Sequence, residues 1–386
     1  MGGGSGGHVT PAIAVASEIL KKHPRAKIEF WTDKKYFKNA KKIVLDDSLP
    51  IRVRKVFAGK FRRYSNFKFI DYMMHFEVVL QNIVDFFKVV LGFFQSFFRL
   101  IFNRPDVIFM KGGYACLAVG LAARVLRVRY VIHDSDTVPG LTNRMIAGGA
   151  KKIATGMPLE YYKYPAEKAQ WTGIPVASDF KPVSKAEQKK RKKELGFNPE
   201  KLLLVIVGGS QGAQNINFAI REILPKLLKK TSVMLVAGRA RYNEMLDLKE
   251  YEQWEDGKLK GDFRMIEFSA DMPLLFGAAD VVVSRAGAST MTELAAMHKA
   301  VVMVPFGALP GKHQVKNAEA YEKANAALVV QDEDMVKDPE LLERAIVRAV
   351  SSEDLRNELA ENLSKFTKSN AAESLADIVY ELGGNK

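Results

Sequence analysis

Short runs of apolar residues recur along the chain, and each is too brief for a helix. They lack the strict alternation of polar and apolar residues that marks a half-exposed strand. Continuous apolar runs of this length are typical of strands buried on both faces of a parallel sheet. These runs lie at 106–110, 130–134, 202–207, 232–236, 281–283 and 300–304.

Longer stretches with helical periodicity separate the runs, at 114–126, 212–229, 314–325 and 339–350. Strands that alternate with helices favour a doubly wound α/β fold. The pattern breaks around 172–200, and we place an interdomain linker near 174–182. The sequence therefore predicts two α/β domains, the first ending at about residue 173.

The charge balance favours anionic partners without choosing among them. Lys and Arg number 58 against 44 Asp and Glu among 386 residues, a formal charge of +14. Nucleic acid, phosphorylated ligands and acidic lipids all remain open. The basic run Lys189–Lys193 lacks interleaved aromatic residues that would stack bases, so we interpret it as a solvated helix face and expect no nucleic-acid partner.

Cysteine usage and the start of the chain bear on the compartment. Cys116 is the only cysteine, which excludes an intramolecular disulfide and a cysteine-based zinc cluster and suits a reducing cytosol. The first residues lack the basic and apolar regions of a secretory signal. We therefore expect a protein that stays on the cytoplasmic side.

Each half carries a glycine-rich turn, at 2–8 and 207–215, where a doubly wound fold would bind phosphate. Glycine lets a diphosphate approach the backbone, and the following helix offers unpaired N–H groups. Many such turns only solve a tight-turn problem. The first turn follows Met1 alone, so the strand that normally precedes it is missing: the start is placed too late, the chain is truncated, or the first sheet lacks a member.

Residues 76–102 are intensely apolar but are interrupted by charges, and the longest uncharged piece, 89–98, is too short to span a bilayer. Basic residues lie just upstream, so the stretch 52–103 suits shallow docking on an anionic membrane. A core helix over the N-terminal sheet is the alternative, and the two can hold for different faces. The upstream basic residues are Arg52, Arg54, Lys55, Lys60, Arg62, Arg63 and Lys68.

Seven segments, in order over nearly the whole chain, resemble those of the MurG glycosyltransferases. They are GGGSGGHVTPAIAVA (2–16), KGGYACLAVGLAA (111–123), HDSDTVPGLTNR (133–144), TGIPV (172–176), GGSQGAQNIN (208–217), SRAGASTMTEL (284–294) and HQVKNA (313–318). The resemblance implies the GT-B architecture, with parallel sheets of two Rossmann-like domains facing across a cleft. The first domain, 1–173, would bind the acceptor and dock on the membrane, joined by a C-terminal helix at about 366–386. The second, 174–365, would bind the UDP-sugar.

The activity implied by the resemblance is inverting transfer of GlcNAc from UDP-GlcNAc to a lipid-linked acceptor. The acceptor would be the C4 hydroxyl of undecaprenyl-diphosphoryl-MurNAc-pentapeptide (lipid I), and the product lipid II of peptidoglycan. The enzyme would be peripheral at the cytoplasmic face of the plasma membrane. Two alternatives remain: a related GT-B transferase acting on diacylglycerol, which the segment 133–144 disfavours, and an inactive homologue that retains UDP recognition.

In the N-terminal half, the family's Thr-Gly-Gly corresponds to Ser5, Gly6 and Gly7, which would bind substrate. His8 would lie beside the acceptor hydroxyl and take its proton, since a neutral imidazole is a base near neutral pH. The alternative is that His8 caps the turn or orients phosphate. Tyr114, in the second matching segment, is also assigned to substrate binding.

In the C-terminal half, the resemblance assigns Ser210 to phosphate and Glu293 to the ribose hydroxyls, a role for an acceptor-only group. Ser269 would lie where uracil is read through backbone atoms. Ala288, Ser289 and Thr290 would open a helix against the diphosphate, and His313 and Gln314 would contact GlcNAc hydroxyls.

Two departures from the family pattern affect the site. Where the family often has His-Glu-Gln-Asn, this chain has His133-Asp134-Ser135-Asp136. Asp136 could accept a hydrogen bond from a sugar hydroxyl or act as base, or it could repel the diphosphate. Ala177 replaces an arginine of the donor site, which predicts weaker donor binding unless Lys181 or another basic group substitutes.

No metal or other cofactor is expected. GT-B enzymes generally neutralise the leaving diphosphate with helix dipoles and backbone donors, although Asp134 and Asp136 superficially resemble a metal-binding pair. The expected reaction is in-line attack of the acceptor hydroxyl on the anomeric carbon.

Overall fold

The computed structural model describes residues 1–3, 6–62, 76–209, 212–255, 258–259, 261–308 and 310–384. The chain divides into two compact units, one comprising Met1–Ala177 with Lys368–Lys386 and the other Ser178–Thr367. Each unit contains parallel strands connected through helices. The predicted α/β class with two Rossmann-like domains is confirmed.

The strands, in chain order, coincide with every apolar run singled out above and include shorter ones that the pattern did not indicate. They are β1 (Ile28–Thr32), β2 (Ile51–Lys55), β3 (Ile108–Met110), β4 (Tyr130–Asp134), β5 (Lys152–Thr155), β6 (Ala169–Trp171), β7 (Leu203–Val207), β8 (Ser232–Val236), β9 (Trp254–Glu255), β10 (Lys258–Leu259), β11 (Phe263–Ile266), β12 (Val281–Ser284), β13 (Ala300–Met303) and β14 (Leu328–Val329).

The α-helices lie between them, and short 3-10 turns add to the connections. They are α1 (Gly6–Lys22), α2 (Phe37–Asp46), α3 (Phe76–Phe102), α4 (Ala115–Val125), α5 (Leu141–Ile146), α6 (Lys185–Glu194), α7 (Gln214–Leu228), α8 (Met272–Ala278), α9 (Ala288–Ala296), α10 (His313–Lys323), α11 (Asp332–Lys337), α12 (Glu340–Ser351), α13 (Glu353–Ser364) and α14 (Ala371–Gly384).

The N-terminal unit contains a parallel pair, β1-β2, and a four-stranded parallel sheet in the order β3-β4-β5-β6. The first residues of the chain lie between them. The Met1 amine donates to the Phe109 carbonyl and the Lys111 N–H donates to the Met1 carbonyl at 2.9 Å, while Gly2 N–H reaches the Trp31 carbonyl at 3.4 Å. A short segment thus occupies the position where the sequence had suggested a missing strand.

Helices pack on both faces of this unit and bury its apolar runs. Val9 and Ile13 of α1 share a core cluster with Leu375 and Val379 of α14, so the end of the chain packs on the first helix. On another face, α4 buries Leu117 and Val119 among β3, β4 and α3. These contacts fix the start of α1 relative to the strand ends.

The second unit has one parallel sheet, in the order β11-β8-β7-β12-β13-β14, and a small antiparallel pair, β9-β10. The chain runs from β7 outward to β8 on one side and later to β12 on the other. Ligands of doubly wound sheets bind where the strand order reverses, outside the carboxyl ends of the strands. In this unit that point lies between β7 and β12.

The basic run Lys189–Lys193 lies on α6, and most of it is exposed to solvent and paired with glutamates. Lys192 differs, because it is buried and its ammonium lies 2.6 Å from Asp280. The expected solvated helix face therefore has one member that points inward, where Lys192 also donates to the Lys201 carbonyl at 2.8 Å.

Candidate active site

The first residues of the N-terminal glycine turn, Met1 to Gly3, lie beside the ends of β1 and β3. Ser5 falls outside the described residues, while Gly6 and Gly7 form the start of α1. The first turn of α1 contains no acidic residue. Its N–H groups and partial positive charge therefore suit an anion such as a phosphate.

A second glycine pair follows β3 and packs against the first turn. Gly112 and Gly113 have φ of +104° and +82°, in the left-handed region that favours glycine. A Cβ atom at Gly113 would lie 2.1 Å from the Gly3 carbonyl oxygen and 3.0 Å from Cδ2 of His8. Glycine at 113 thus permits the imidazole of His8 to lie against this loop.

His8 is half-buried, and its Nδ1 atom is buried without a hydrogen-bond partner among the described residues. Burial, and then the ammonium of Lys111, lower the pKa of His8 to about 3. The imidazole is therefore neutral at physiological pH. A neutral imidazole can accept a proton, but this low pKa makes it a weak base in the absence of substrate.

Two carboxylates with different surroundings lie at the end of β4. Asp134 is buried and accepts hydrogen bonds from Gly140 N–H at 3.1 Å, from Asn143 Nδ2 at 2.8 Å and from the Tyr164 hydroxyl. Burial raises the pKa of Asp134 against the effect of these donors. Asp136 is only half-buried, and its main-chain carbonyl accepts from the Tyr162 hydroxyl at 2.8 Å.

Asp134 and Asp136 therefore do not act as a matched pair of metal ligands, because the carboxylate of Asp134 already accepts hydrogen bonds from the protein. Within the described ranges, no group of three or more His, Cys, Asp or Glu side chains is placed to hold a metal ion. Next to this segment, the Nε2 atom of buried His133 lies 2.8 Å from the Gly173 carbonyl. These contacts indicate that His133 and Asp134 shape the loop that presents Asp136.

Tyr114 is half-buried at the start of α4, where its hydroxyl hydrogen-bonds with Asp33. Asp33 follows β1 and also accepts from Tyr36 N–H at 2.9 Å. Burial and this carboxylate raise the pKa of Tyr114. The sequence did not single out Asp33, because a lone aspartate after a strand carries no motif.

In the second unit, the glycine turn follows β7 and leads into α7. Gly209 and Gly212 have φ of +86° and +82°, and a Cβ at Gly209 would meet open space, so this backbone is accessible to a ligand. Ser210 falls outside the described residues. This turn lies beside the end of β12, where the strand order reverses.

The helix α9 starts beyond β12 with Ala288, Ser289 and Thr290, whose N–H groups form its first turn. Glu293 lies one turn further on and is half-buried. Burial alone raises the pKa of Glu293 to about 7. Its carboxylate has no hydrogen bond or ion pair with any residue in the described part of the chain.

His313 and Gln314 open α10, after Gly311 and Lys312 in left-handed conformations. The Gln314 Oε1 atom accepts from Phe306 N–H at 2.9 Å, which closes the loop that follows β13. The buried Nδ1 atom of His313 lacks a hydrogen-bond partner among the described residues. Both side chains thus lie at the start of α10, where a ring nitrogen of His313 has no protein partner in the described part of the chain.

The sequence did not predict a half-buried network next to this loop. Arg285 forms an ion pair with Asp332, and its guanidinium carbon lies 5.2 Å from the centroid of the Phe306 ring. Asn215 of α7 donates to the same aspartate at 2.7 Å. Arg285 thus links the end of β12 to the loop closed by Gln314, across residues far apart in sequence.

Ser269 and Ala177 complete the residues that the sequence singled out. The Ser269 hydroxyl accepts from Asp271 N–H at 3.1 Å, inside the turn that starts α8. Its side chain is therefore used within the turn, and only its backbone remains for a ligand. Ala177 is exposed at the end of the N-terminal unit, and Lys181 is exposed in the second unit.

The chain is similar to known proteins over almost its whole length. Residues 1–155 match the glycosyltransferase family 28 N-terminal domain, and residues 203–376 match the glycosyltransferase family 28 C-terminal domain. The chain is 24% identical in sequence to a crystal structure of Acinetobacter baumannii MurG, with a TM-score of 0.72, covering 99% of this chain and 98% of that one. That likeness concerns the fold.

Two curated relatives share the name UDP-N-acetylglucosamine--N-acetylmuramyl-(pentapeptide) pyrophosphoryl-undecaprenol N-acetylglucosamine transferase. The protein of Thermoanaerobacter sp. (strain X514) is 30% identical over 383 residues, 99% of this chain and 98% of the relative. That of Clostridium perfringens (strain SM101 / Type A) is 31% identical over 383 residues, 98% of this chain and 96% of the relative. The resemblance drawn from the seven segments is confirmed.

Proposed function

This chain belongs to the MurG family of glycosyltransferases, and on that premise we propose that it transfers GlcNAc from UDP-GlcNAc to the C4 hydroxyl of lipid I to give lipid II. The observation that carries the proposal is the unpaired carboxylate of Glu293 beside the start of α9. Keeping a carboxylate half-buried without a donor is costly, so its place is explained by a ligand that supplies hydroxyl donors.

The donor half of the proposal combines three features at the strand-order reversal of the second unit. The first turn of α9 offers amides and a partial positive charge to a diphosphate. Glu293 accepts from the two ribose hydroxyls, as only an acceptor without hydrogens can do for both. His313 and Gln314 contact the sugar hydroxyls from the start of α10.

The acceptor half rests on the N-terminal unit. The first turn of α1 binds the diphosphate of the lipid-linked acceptor, and His8 and Asp136 are the groups able to take the proton of its C4 hydroxyl. As the oxygen of that hydroxyl bonds to the anomeric carbon, the bond from this carbon to the UDP oxygen breaks and UDP leaves with the electron pair. Attack opposite the leaving group inverts the configuration.

Helix N–H groups, rather than a metal ion, neutralise the leaving diphosphate in this scheme. The test is lipid II formation from UDP-GlcNAc and lipid I by the purified protein, with and without excess chelator. We expect lipid II at equal rates in both samples. Loss of turnover that only magnesium restores contradicts the metal-free scheme, and tight UDP binding with unchanged lipid I indicates an inactive homologue.

The same assay with diacylglycerol in place of lipid I separates the other alternative. The proposed function requires that GlcNAc reach lipid I and that diacylglycerol stay unmodified. Transfer to diacylglycerol alone would assign the chain to a glycolipid transferase of similar fold.

The helix α3 supports a membrane location for this reaction, which we place at the cytoplasmic face. Its inward stripe buries Asp85, Gly92 and Ser96 together with the apolar residues Val89 and Leu100. Its outward stripe is apolar and exposed over the whole helix. The exposed residues are Phe76, Leu80, Ile83, Val84, Phe86, Phe87, Leu91, Phe94, Phe98, Ile101 and Phe102.

Such a stripe is unusual on a soluble surface and suits a helix that lies in the membrane interface. None of the helices in the described part of the chain is long and apolar enough to cross a bilayer. Of the adjoining basic residues, Arg54 and Arg62 are paired with Glu29 and Asp85, while Arg52 and Lys60 are exposed. Arg63 and Lys68 lie outside the described residues.

Replacing Phe87, Phe94 and Phe98 together by serine is expected to lower binding to phosphatidylglycerol vesicles by about tenfold or more, since each ring loses apolar burial in lipid. The measurement is cosedimentation with vesicles. The matched control replaces three exposed apolar residues of the second unit, Leu246, Val336 and Phe218, which are 48%, 57% and 37% exposed. Equal vesicle binding by both triple variants would exclude α3 as the docking surface.

A further inference from the structure

Lys111 is a buried lysine that neither the glycine motif nor the reaction scheme explains. It follows β3 directly and is 1% exposed. Its ammonium donates to the hydroxyl of Ser135, which lies between Asp134 and Asp136 at the end of β4. Because β3 and β4 are parallel neighbours, their carboxyl ends meet at one edge and bring these residues together.

A buried ammonium needs a nearby anion, because desolvation disfavours its charge. Burial lowers the pKa of Lys111 to about 8, while the carboxylates of Asp136 and then Asp134 act in the opposite direction. Asp134 already accepts three hydrogen bonds from the protein. Of the two carboxylates, Asp136 has the larger effect on the charge of Lys111.

Besides Asp134 and Asp136, three other titratable groups act on Lys111 or are affected by it. They are His8 on α1, His133 on β4 and the Cys116 thiol on α4. The Lys111 ammonium lowers the pKa of both histidines and thereby disfavours a second cation beside it. The charge at this edge of the sheet is thus set by Lys111 and by the carboxylates of Asp134 and Asp136.

We propose that Lys111 is a positioning residue, whose ammonium holds the Ser135–Asp136 segment through the Ser135 hydroxyl and counters the charge of the Asp136 carboxylate at the acceptor site. The inference rests on the proposed function. It bears on the choice left open by the sequence, where a carboxylate at 136 replaces an amide, because Lys111, in the neighbouring loop after β3, supplies a positive charge that acts on Asp136.

A double-mutant cycle tests the coupling. Lys111→Met and Asp136→Asn are each expected to lower kcat/KM for lipid I by about tenfold or more, since each leaves a charge without its partner. The double variant carries neither charge and is expected to fall within about threefold of Asp136→Asn. Losses that multiply in the double variant would show two independent residues and overturn the proposal.

The pH profile gives a readout that loss of packing would not produce. In the wild type, kcat/KM is expected to fall above about pH 8, as Lys111 releases its proton. In Lys111→Met this decrease of kcat/KM at alkaline pH should be absent. In Asp136→Asn the decrease should begin at lower pH, because the carboxylate that raises the pKa of Lys111 is gone. Alkaline limbs that coincide in all three proteins would overturn the proposal.

Two controls separate this coupling from unfolding and from failure of the proposed function. Lys192→Met removes another buried lysine, whose ammonium lies 2.6 Å from Asp280 in the second unit, and should leave the lipid I profile unaltered. Histidine-labelled NMR requires no turnover: Lys111→Met should raise the pKa of His8, and Lys192→Met should not. If the wild type makes no lipid II, the proposed function fails, whereas an unchanged His8 pKa in Lys111→Met overturns the role of Lys111.

Discussion

Replacement of His8 by alanine is expected to lower kcat for lipid II formation by about 100-fold or more, the usual contribution of a general base. The residue lies against the Gly112–Gly113 loop at the start of α1, with its Nδ1 atom lacking a partner among the described residues. Affinity for UDP should stay unchanged, since the nucleotide groups belong to the second unit. The measurements are steady-state turnover with lipid I and calorimetric titration with UDP.

The pH dependence sharpens this expectation. In the free enzyme the pKa of His8 is lowered to about 3, so kcat/KM should show no acid limb from this group between pH 5.5 and 7.5. A bound diphosphate favours the imidazolium and raises the His8 pKa, so kcat, which reports the bound complex, should fall at acid pH.

The matched control for His8 is His298→Asn, which alters an exposed histidine with φ of 53° that asparagine tolerates. It should retain full turnover. Full turnover in His8→Ala as well would leave Asp136 as the base and restrict His8 to shaping the turn.

The continuous apolar runs made the fold predictable, because strands buried in a parallel sheet need no alternation of polar and apolar residues. Strand β1 was missed because it mixes charged and polar residues with apolar ones, and β6 was missed because it has only three residues. The stretch 76–102 shows a different limit. Its composition indicated an apolar helix, but only the packing shows which phenylalanines are exposed, such as Phe94 and Phe98, and which pack against the core, as Phe93 and Phe97 do.

The site was predictable where chemistry follows a local motif, as for Glu293 one turn after the start of α9. It was not predictable where partners come from distant strands. Asp33 bonds to Tyr114, Asp332 to Arg285 and Ser135 to Lys111, and each pair is brought together by sheet topology. Glycines were easy to find, but the contact of Gly113 with Gly3 required the structure.

Glu293→Gln is expected to raise the KM for UDP-GlcNAc by about tenfold to 100-fold, because a carboxylate that accepts from two ribose hydroxyls is replaced by an amide with one acceptor oxygen. Binding should also depend on pH. The pKa of Glu293 in the free protein is raised to about 7. Because only the ionised carboxylate accepts from both ribose hydroxyls, the donor should bind best when Glu293 is deprotonated. Affinity for UDP in the wild type should weaken below pH 7, and in Glu293→Gln it should lose this dependence.

Although Glu293→Gln should weaken donor binding, it should make the ligand-free protein more stable. Burial favours the neutral carboxyl, so the folded pKa lies above the unfolded one, and this group's stabilising effect is present below about pH 4.5 and lost as pH rises through about 7. At pH 8 the ionised carboxylate is half-buried without a partner among the described residues. Glu293→Gln should therefore raise the free energy of unfolding at pH 8 by about 2 kcal/mol, measured by urea denaturation without ligand.

A matched change at Glu319, whose carboxylate is about half exposed and lies 2.7 Å from Lys316 on the surface of α10, should affect neither donor binding nor stability by a comparable amount. The combination expected of Glu293→Gln, a more stable protein that binds its donor less tightly, is typical of a residue kept for a ligand at the expense of the fold. A variant that loses stability at pH 8 would instead show that Glu293 supports the packing of α9, and the ribose role would lose its physical basis.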